Sequence, residues 1–411
     1  MEKSKKDAWK IITLLGLIAL LGDLIYEAGV SINGQYLKLI NVNPTIIGFV
    51  LGFATFLGYA IRIISGSFAD KTKSYGIFAI IGYSFMIFIP LLFLVTDWKL
   101  FAVFIILERI GKALRSPAKD TLLSFATEKV GSGIGFGISE VLDQIGALLG
   151  PLLMSLYFYQ FSGPIGIKEY QGAYKSLFIP YIILLLFTIF VYGQITSSQK
   201  QKFEETKNIK IKSSFYYYIM FMFFTSLGVV GFSLIGYHLK NYEIYSDSVI
   251  PILYGACMII DAIFAVILGK IYDLQKRITS LRSILIVSYL PLFTTTLGFL
   301  LFSQGRMSII LGITVLGIIL ATHESITKAI IADLTPKERR GFAFGLYNFV
   351  YGISLLIGSS VIGFLYEISI TSIRYFLIAT QTIAFVFFLL FYQKSKREIF
   401  SQIFLNIKNF S

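Results

Sequence analysis

One stretch of mixed charge inside an apolar run decides how this chain folds: Glu108-Arg-Ile-Gly-Lys-Ala-Leu-Arg-Ser-Pro-Ala-Lys-Asp120. The run begins near Leu100, so Glu108, Arg109 and Lys112 are expected inside a membrane-spanning helix. A charged residue at the bilayer centre costs about 2.5–3.5 kcal/mol even on insertion-based scales. Such residues are therefore expected to face a protein-lined or hydrated space.

The composition supports a membrane protein. Of 411 residues, 56% are hydrophobic and 14% are charged, whereas soluble domains average about 25% charged residues. The apolar residues form runs of about twenty, which is long enough for a helix to cross a bilayer. We predict an all-α integral membrane protein with twelve transmembrane helices, arranged as two pseudo-symmetric six-helix bundles around a central cavity.

The predicted spans are numbered 1 to 12 along the chain. They cover residues 9–31, 45–69, 75–95, 99–118, 132–161, 174–196, 213–239, 248–270, 280–302, 307–334, 340–367 and 373–393. The predicted domains are an N-terminal bundle, a cytoplasmic linker, a C-terminal bundle and a cytoplasmic tail, at residues 1–196, 197–212, 213–393 and 394–411. The tail has apolar residues at helical spacing, and is either an amphipathic helix on the membrane surface or a frayed end.

Basic residues concentrate in alternate connections and in the linker. By the positive-inside rule, this bias places both termini and the linker in the cytoplasm of a multi-pass plasma-membrane protein. The pattern accounts for most of the net charge of +13, so no nucleic-acid partner is expected. The bilayer, a small-molecule substrate and protons are the expected partners of a monomer.

Metal and cofactor chemistry are not expected. The single cysteine, Cys257, rules out an intramolecular disulfide. His238 and His323 have no partner at metal-ligand spacing. No Gly-rich nucleotide loop is present, which argues against a pump driven by ATP.

The two halves of the sequence repeat each other in two places. Glu324 and Lys328 in span 10 repeat the spacing of Glu108 and Lys112 in span 4. The second repeat is Gly-x-x-x-Asp at the end of spans 2 and 8, followed by basic residues; its members are Gly66, Asp70, Lys71 and Lys73, and Gly269 and Asp273. We interpret this repeat as a cytoplasmic gate between helices, and the alternative is a run of basic residues that only fixes topology.

These features together resemble the major facilitator superfamily, whose loop between helices 2 and 3 carries Gly-x-x-x-Asp-Arg/Lys-x-Gly-Arg-Arg/Lys. The second glycine of that motif is missing here. The stretch from Glu108 to Asp120 resembles a prokaryotic branch with Asp-Arg-x-Gly-Lys-Gly-x-Arg-x-x-Pro-Arg-Asp. That branch also has Asp-x-x-x-Glu in helix 1, as Asp23 and Glu27 here, but its usual prolines after them are absent.

The resemblance implies a transporter without cofactors, not an enzyme, in which helices 1, 4, 7 and 10 line a central cavity. The residues expected in proton coupling or in the cavity are Asp23, Glu27, Glu108, Arg109, Lys112, Glu140, Asp143, Glu324 and Lys328. Arg115 joins the six repeat residues at the cytoplasmic gate. The alternative for Glu108–Lys112 and Glu324–Lys328 is an ion pair within one helix that only neutralises charge.

Span 5 contains Gly146, Gly150 and Pro151 in a pattern that resembles the helix-5 motif of antiporters in the superfamily. Glycines at this spacing allow close helix packing, and the resemblance favours export. The expected function is proton-coupled efflux of a small organic molecule by alternating access. Proton-coupled uptake is the alternative, and an integral membrane enzyme is a remote one. Because the buried charges lean acidic, protons or a cationic substrate are favoured over an anion.

Overall fold

The computed structural model describes the backbone of residues 2–72, 74–127, 130–194, 211–336 and 339–408, and their side chains except at residues 2–4, 70, 132, 133, 194 and 400–408. Within these ranges the regular structure is helical, without strands. Ten segments are long and apolar enough to cross a membrane. The other two predicted spans are span 4, residues 99–118, which carries the charged stretch, and span 7, residues 213–239, which is interrupted.

The first seven helices correspond to spans 1 to 6. They are α1 (Glu2–Leu39), α2 (Pro44–Thr72), α3 (Tyr75–Ser84), α4 (Trp98–Thr127), α5 (Ser132–Tyr159), α6 (Ile167–Ser176) and α7 (Phe178–Gln194). Two 3₁₀ segments, Phe85–Phe88 and Pro90–Leu94, continue α3. Pro44 is the first residue of α2. An N–H at this position would have no partner within the helix, so proline loses no hydrogen bond there.

In the second part of the chain, the described residues form nine α-helices. They are α8 (Ser213–Ser226), α9 (Phe232–Asn241), α10 (Val249–Ile278), α11 (Ser280–Ile284), α12 (Leu290–Leu300), α13 (Arg306–Ala321), α14 (Thr327–Leu334), α15 (Arg340–Ile368) and α16 (Ile370–Lys408). A π-helical turn, Thr322–Ile326, joins α13 to α14. The interruption between α8 and α9 contains Gly228 and Gly231, which have low helix propensity.

Several helices are longer than predicted, including α4, which continues to Thr127, and α10, which continues to Ile278. Span 1 was expected over residues 9–31, but α1 continues to Leu39 because residues 32–37 are buried against protein. Helix α16 continues to Lys408, so the predicted tail has a helical backbone. Most of the predicted linker, residues 197–210, lies outside the described residues.

The contacts divide the chain into two compact units. Unit 1 is Met1–Lys202 with Gly231–Ile259, and unit 2 is Phe203–Val230 with Ile260–Ser411. Residues 231–259, which comprise α9 and the first part of α10, therefore pack with the first part of the chain. The domain boundaries inferred from the sequence repeat stay a prediction.

Helix α1 is central to unit 1. A Cβ atom on Gly150 of α5 would lie 2.7 Å from the backbone nitrogen of Ala28, and one on Gly146 would overlap the Leu20 carbonyl. At the other end of α1, Gly34 lies directly on the backbone of Ser233 in α9. Backbone approach of this kind needs glycine at the contact, so the predicted packing role of Gly146 and Gly150 acts between α5 and α1.

Unit 2 packs α8 against α16. The rings of Tyr218 and Phe391 have centroids 5.1 Å apart. The amide of Gln381 donates a 3.1 Å hydrogen bond to the Phe224 carbonyl, close to the interruption after α8. Polar caps of this kind satisfy carbonyl groups that a helix end leaves without partners.

Candidate functional site

The charged stretch of α4 meets the acidic face of α1 inside unit 1. The side chain of Tyr26, which is 7% exposed, lies between Asp23 and Glu27 in sequence. Its ring centroid is 4.7 Å from the guanidinium carbon of Arg109 and 4.3 Å from Nζ of Lys112. Cations at this distance from an aromatic ring are attracted by its quadrupole. We call these five residues the Tyr26 cluster.

Glu108 is fully buried behind the cluster. Its Oε1 accepts a 3.2 Å hydrogen bond from Nη2 of Arg115, seven residues along α4. Arg115 also donates to the Gly82 carbonyl in α3 at 3.4 Å. The structure pairs Arg115 with Glu108, so among the described residues the ion pair considered between Glu108 and Lys112 is not the one that forms. The place of Arg115 at the cytoplasmic gate stays a prediction.

The acidic residues of α1 reach another helix of unit 1. Oε2 of Glu27 accepts a 2.5 Å hydrogen bond from the hydroxyl of Tyr254 in α10. Asp23 and Glu27 are both half-buried, and both interact electrostatically with Lys112. One lysine therefore serves two carboxylates, and the charge state of either carboxylate affects the other.

The remaining predicted charges of unit 1 make other contacts. Nζ of Lys119 is 3.0 Å from Oδ2 of Asp143, joining α4 to α5. Glu140 is exposed on α5, with Gln144 of the same helix 3.5 Å away. Asp143 is therefore held in an ion pair between helices, and Glu140 is not a member of the Tyr26 cluster.

A second polar group lies at the end of unit 1 that the basic-residue pattern predicts to face outside. Oδ2 of Asp247 accepts a 2.6 Å hydrogen bond from Nζ of Lys240, and Oδ1 accepts one of 2.6 Å from the hydroxyl of Tyr170. Lys240 also approaches the Ile165 carbonyl at 3.5 Å. These contacts attach residues 231–259 to α6, and we call Lys240, Asp247 and Tyr170 the Asp247 cluster.

In unit 2, Glu324 and Lys328 are exposed and flank the end of the π-helical turn. Such turns insert a residue into a helix and are frequent at functional sites. His323, in the same turn, is 4% exposed, and neither ring nitrogen has a hydrogen-bond partner among the described residues. Its ring lies 5.5 Å from that of Tyr351.

The predicted gate motifs are only partly described. The side chain of Asp70, and all of Lys73, lie outside the described residues. Lys71 is exposed, and Gly66 makes ordinary contact with Pro117, at 3.5 Å for an added Cβ.

In the second copy of the motif, Asp273 is exposed. Gly269 has room for an added Cβ, which would lie 4.0 Å from Oγ of Ser325. Instead Asp333 of α14 accepts hydrogen bonds from Lys276 at 2.7 Å and from Tyr272 at 2.8 Å. The contact between α10 and α14 thus uses the basic residue of the motif, with an acidic partner that sequence reasoning missed.

Sequence reasoning also missed Tyr26, Tyr254 and Asp247. The sequence contains 25 tyrosines, and nothing in the pattern separates Tyr254 from those that face lipid. Tyr26 carries a weak signal, because it lies three residues after Asp23 and therefore on the same side of the helix.

Comparison with known proteins assigns this chain to a family. Residues 12–322 and 282–403 match the model of the Major Facilitator Superfamily. An uncharacterized protein of Mycobacterium tuberculosis is 29% identical over 393 residues, 92% of each chain. An uncharacterized MFS-type transporter of Methanocaldococcus jannaschii is 28% identical over 381 residues, covering 90% of this chain and 91% of its own.

A mutant form of the nucleoside transporter NupG shares the fold, with a TM-score of 0.72 at 14% identity over 93% of this chain and 99% of its own. At this identity the likeness concerns the fold alone. The match to the family model covers most of the sequence, and the predicted resemblance is confirmed. The chain belongs to the Major Facilitator Superfamily of membrane transporters.

Proposed function

We propose that the protein is a proton-coupled secondary transporter that moves a small organic molecule across the plasma membrane by alternating access. The observation that carries the proposal is the hydrogen bond from Tyr254 to Glu27. Through this hydrogen bond, the half-buried carboxylate of Glu27 in a membrane helix holds a residue of the 231–259 segment. Binding of a proton to Glu27 changes that contact directly.

The coupling follows from charge. A hydrogen bond to an ionised carboxylate is about twice as strong as one between neutral groups, so protonation of Glu27 weakens the attachment of α10. It also removes one of the two negative charges that interact with Lys112. Loss of both interactions favours release of the 231–259 segment from α1, which is the conformational step that alternating access requires.

Two directions of transport are supported by different observations. The Gly146 to Pro151 pattern in α5 resembles that of antiporters, and export is the direction that it favours. The geometry around Lys112 supports the alternative, uptake with a proton, because protonation of Asp23 or Glu27 frees a cation for a substrate.

Transport into proteoliposomes tests the proposal. Purified protein would be reconstituted, an inside-alkaline or inside-acid gradient imposed, and the pH of the lumen followed with a trapped fluorescent dye while candidate solutes are added. Uridine is a first probe, since a structural relative is a nucleoside transporter; carboxylates and amines extend the panel. A solute that causes proton movement through the wild-type protein supports the proposal. The sign of the luminal pH change gives the direction of transport.

The variants Asp23→Asn and Glu27→Gln, alone and combined, should abolish the solute-dependent proton flux. Glu140→Gln is the matched control, because that carboxylate is also in a membrane helix but lies exposed on α5. If the double variant still moves protons with solute at the wild-type rate, the assignment of coupling to α1 is wrong.

A further inference from the structure

Two basic side chains beside Tyr26 have donor groups that no carboxylate holds at hydrogen-bond distance among the described residues. Nε of Arg109 is buried and has no acceptor there. Nζ of Lys112 lies over the Tyr26 ring, and it interacts with Asp23 and Glu27 only at longer range. By contrast, Arg115 and Lys119 each pair with a carboxylate. Buried donors are nearly always satisfied in folded proteins, so the unused donors point to a ligand.

The charge around Tyr26 is less acidic than the tally of membrane carboxylates in the sequence suggests. Asp261 and Glu324 belong to unit 2, and Glu140 is exposed. Of the other membrane carboxylates in unit 1, Glu108 and Asp143 are each held by a basic residue. Asp23 and Glu27 are left to balance Arg109 and Lys112, so the cluster becomes basic when Glu27 takes up a proton.

The nearest competing acceptor does not change this balance. Oε2 of Glu108 is 4.0 Å from Nε of Arg109, which is longer than a hydrogen bond. The Arg109 side chain keeps 20% of its surface exposed, whereas Glu108 has none. Arg109 is therefore accessible to a solute, and Glu108 is not.

We infer that the substrate is an organic monoanion whose carboxylate or phosphodiester binds Arg109 and Lys112 beside Tyr26. This inference deepens the proposed function and rests on it. The planar guanidinium matches the two oxygens of such a group, and the ammonium adds a point charge. The ring of Tyr59, which lies 5.2 Å from the guanidinium carbon of Arg62, and the ring of Tyr26 supply apolar surface for the body of the molecule.

Proton and anion should bind together. The charged groups that face Glu27 are Lys112 and Arg109 from α4 and Asp23 from α1, with the titratable hydroxyl of Tyr254 from α10. Ionised Glu27 competes with an anion for Lys112, and its protonation removes the competition. A solute that binds with the proton also travels with it, which favours uptake over export.

Equilibrium binding in detergent tests this without a gradient or a functioning cycle. The probes are pairs that differ only in charge, namely benzoate with benzamide, nicotinate with nicotinamide and indole-3-acetate with indole-3-acetamide, together with benzylammonium. Thermal unfolding is followed at increasing concentrations. A ligand that binds only the folded state raises the unfolding temperature, so at least one anion should raise it while its amide does not.

Variants locate the site. Arg109→Gln and Lys112→Gln should each weaken anion binding at least about tenfold, the loss expected for a charged hydrogen bond. Arg109→Lys keeps the charge but lacks the planar guanidinium. Its affinity for the anion should lie between those of Arg109→Gln and the wild type. Lys99→Gln is the control, because Lys99 is an exposed cation at the start of the same helix.

The inference is overturned if no anion of the panel stabilises the wild-type protein, if the amides or benzylammonium stabilise it instead, or if an anion still binds the Arg109→Gln, Lys112→Gln double variant. The unliganded unfolding temperature of each variant shows whether it has folded. If the wild-type protein binds the anion but moves no protons with a solute, the proposed function is contradicted and this inference stands.

Discussion

The hydroxyl of Tyr254 donates a 2.5 Å hydrogen bond to Oε2 of Glu27, and Cys257 lies one turn further along the same helix. The thiol of Cys257 is buried. It is also the single cysteine of the chain, so its reaction with a maleimide or a thiosulfonate reports, without any engineered label, whether the packing that buries this part of α10 has opened.

Replacing Asp247 with Asn should speed the labelling of Cys257 several-fold. The change weakens the hydrogen bonds from Lys240 and Tyr170, which are charge-assisted only while Asp247 is ionised. The rate of alkylation of purified protein in detergent measures the effect. Glu243→Gln, at an exposed position in the same connection, should leave the rate unchanged. An equal rate in Asp247→Asn and wild type would show that this cluster does not hold the segment.

Glu27→Gln should keep anion binding but remove its pH dependence. The amide resembles the protonated carboxyl in charge, so it no longer competes for Lys112. In the wild-type protein, binding strengthens as pH falls, because protonation of Glu27 releases the cation. Titrations of the best anion of the panel at mildly acidic and mildly alkaline pH would measure both slopes. A variant that keeps the wild-type slope would assign the proton to another group.

Glu108→Gln should destabilise the protein by about 3–5 kcal/mol, the usual cost of leaving one member of a buried ion pair without its partner. Arg115 is the residue left uncompensated, since it is 5% exposed. The double variant with Arg115→Gln should recover part of the loss. Thermal unfolding of the two single variants and the double variant forms the cycle; strict additivity would mean that the two residues do not interact.

Gly150→Ala should destabilise the contact between α5 and α1, at the cost of about 1–3 kcal/mol that overpacking typically brings. The added methyl meets backbone atoms of Leu24 and Ala28, which have little freedom to move. Gly137→Ala on the same helix is a matched control, since nothing lies within 4 Å of its added Cβ. That variant should be neutral or slightly stabilising, because alanine favours the helix.

Helix positions could be predicted because they depend on composition and on the period of the helix, whereas the meeting of α1 with α4 was implied only by the resemblance to the superfamily. Runs of about twenty apolar residues mark spans, and residues four apart share a face. The spacing of Gly146 and Gly150 favours close helix packing, but it does not identify α1 as the partner helix. None of these predictions needs the identity of a neighbouring side chain.

The pairings could not be predicted, because a helix face gives a direction but no partner. Glu108 has Lys112 one turn away, and yet it pairs with Arg115, whose side chain is also held by the Gly82 carbonyl of α3. At the motif after span 8, Lys276 pairs with Asp333 from another helix rather than with the nearby Asp273. These choices depend on which helices are adjacent and on side-chain rotamers.

The membership of residues 231–259 in unit 1 has a consequence for synthesis on the ribosome. The surface of α1 around Gly34 and the carboxylate of Glu27 both contact the 231–259 segment. These contacts are complete only after residue 259 has been translated. Until then, the groups of α1 that this segment contacts are exposed in the bilayer. A nascent chain that stops at the linker should consequently be recognised by membrane chaperones or proteases, and co-expression of the missing fragment should protect it.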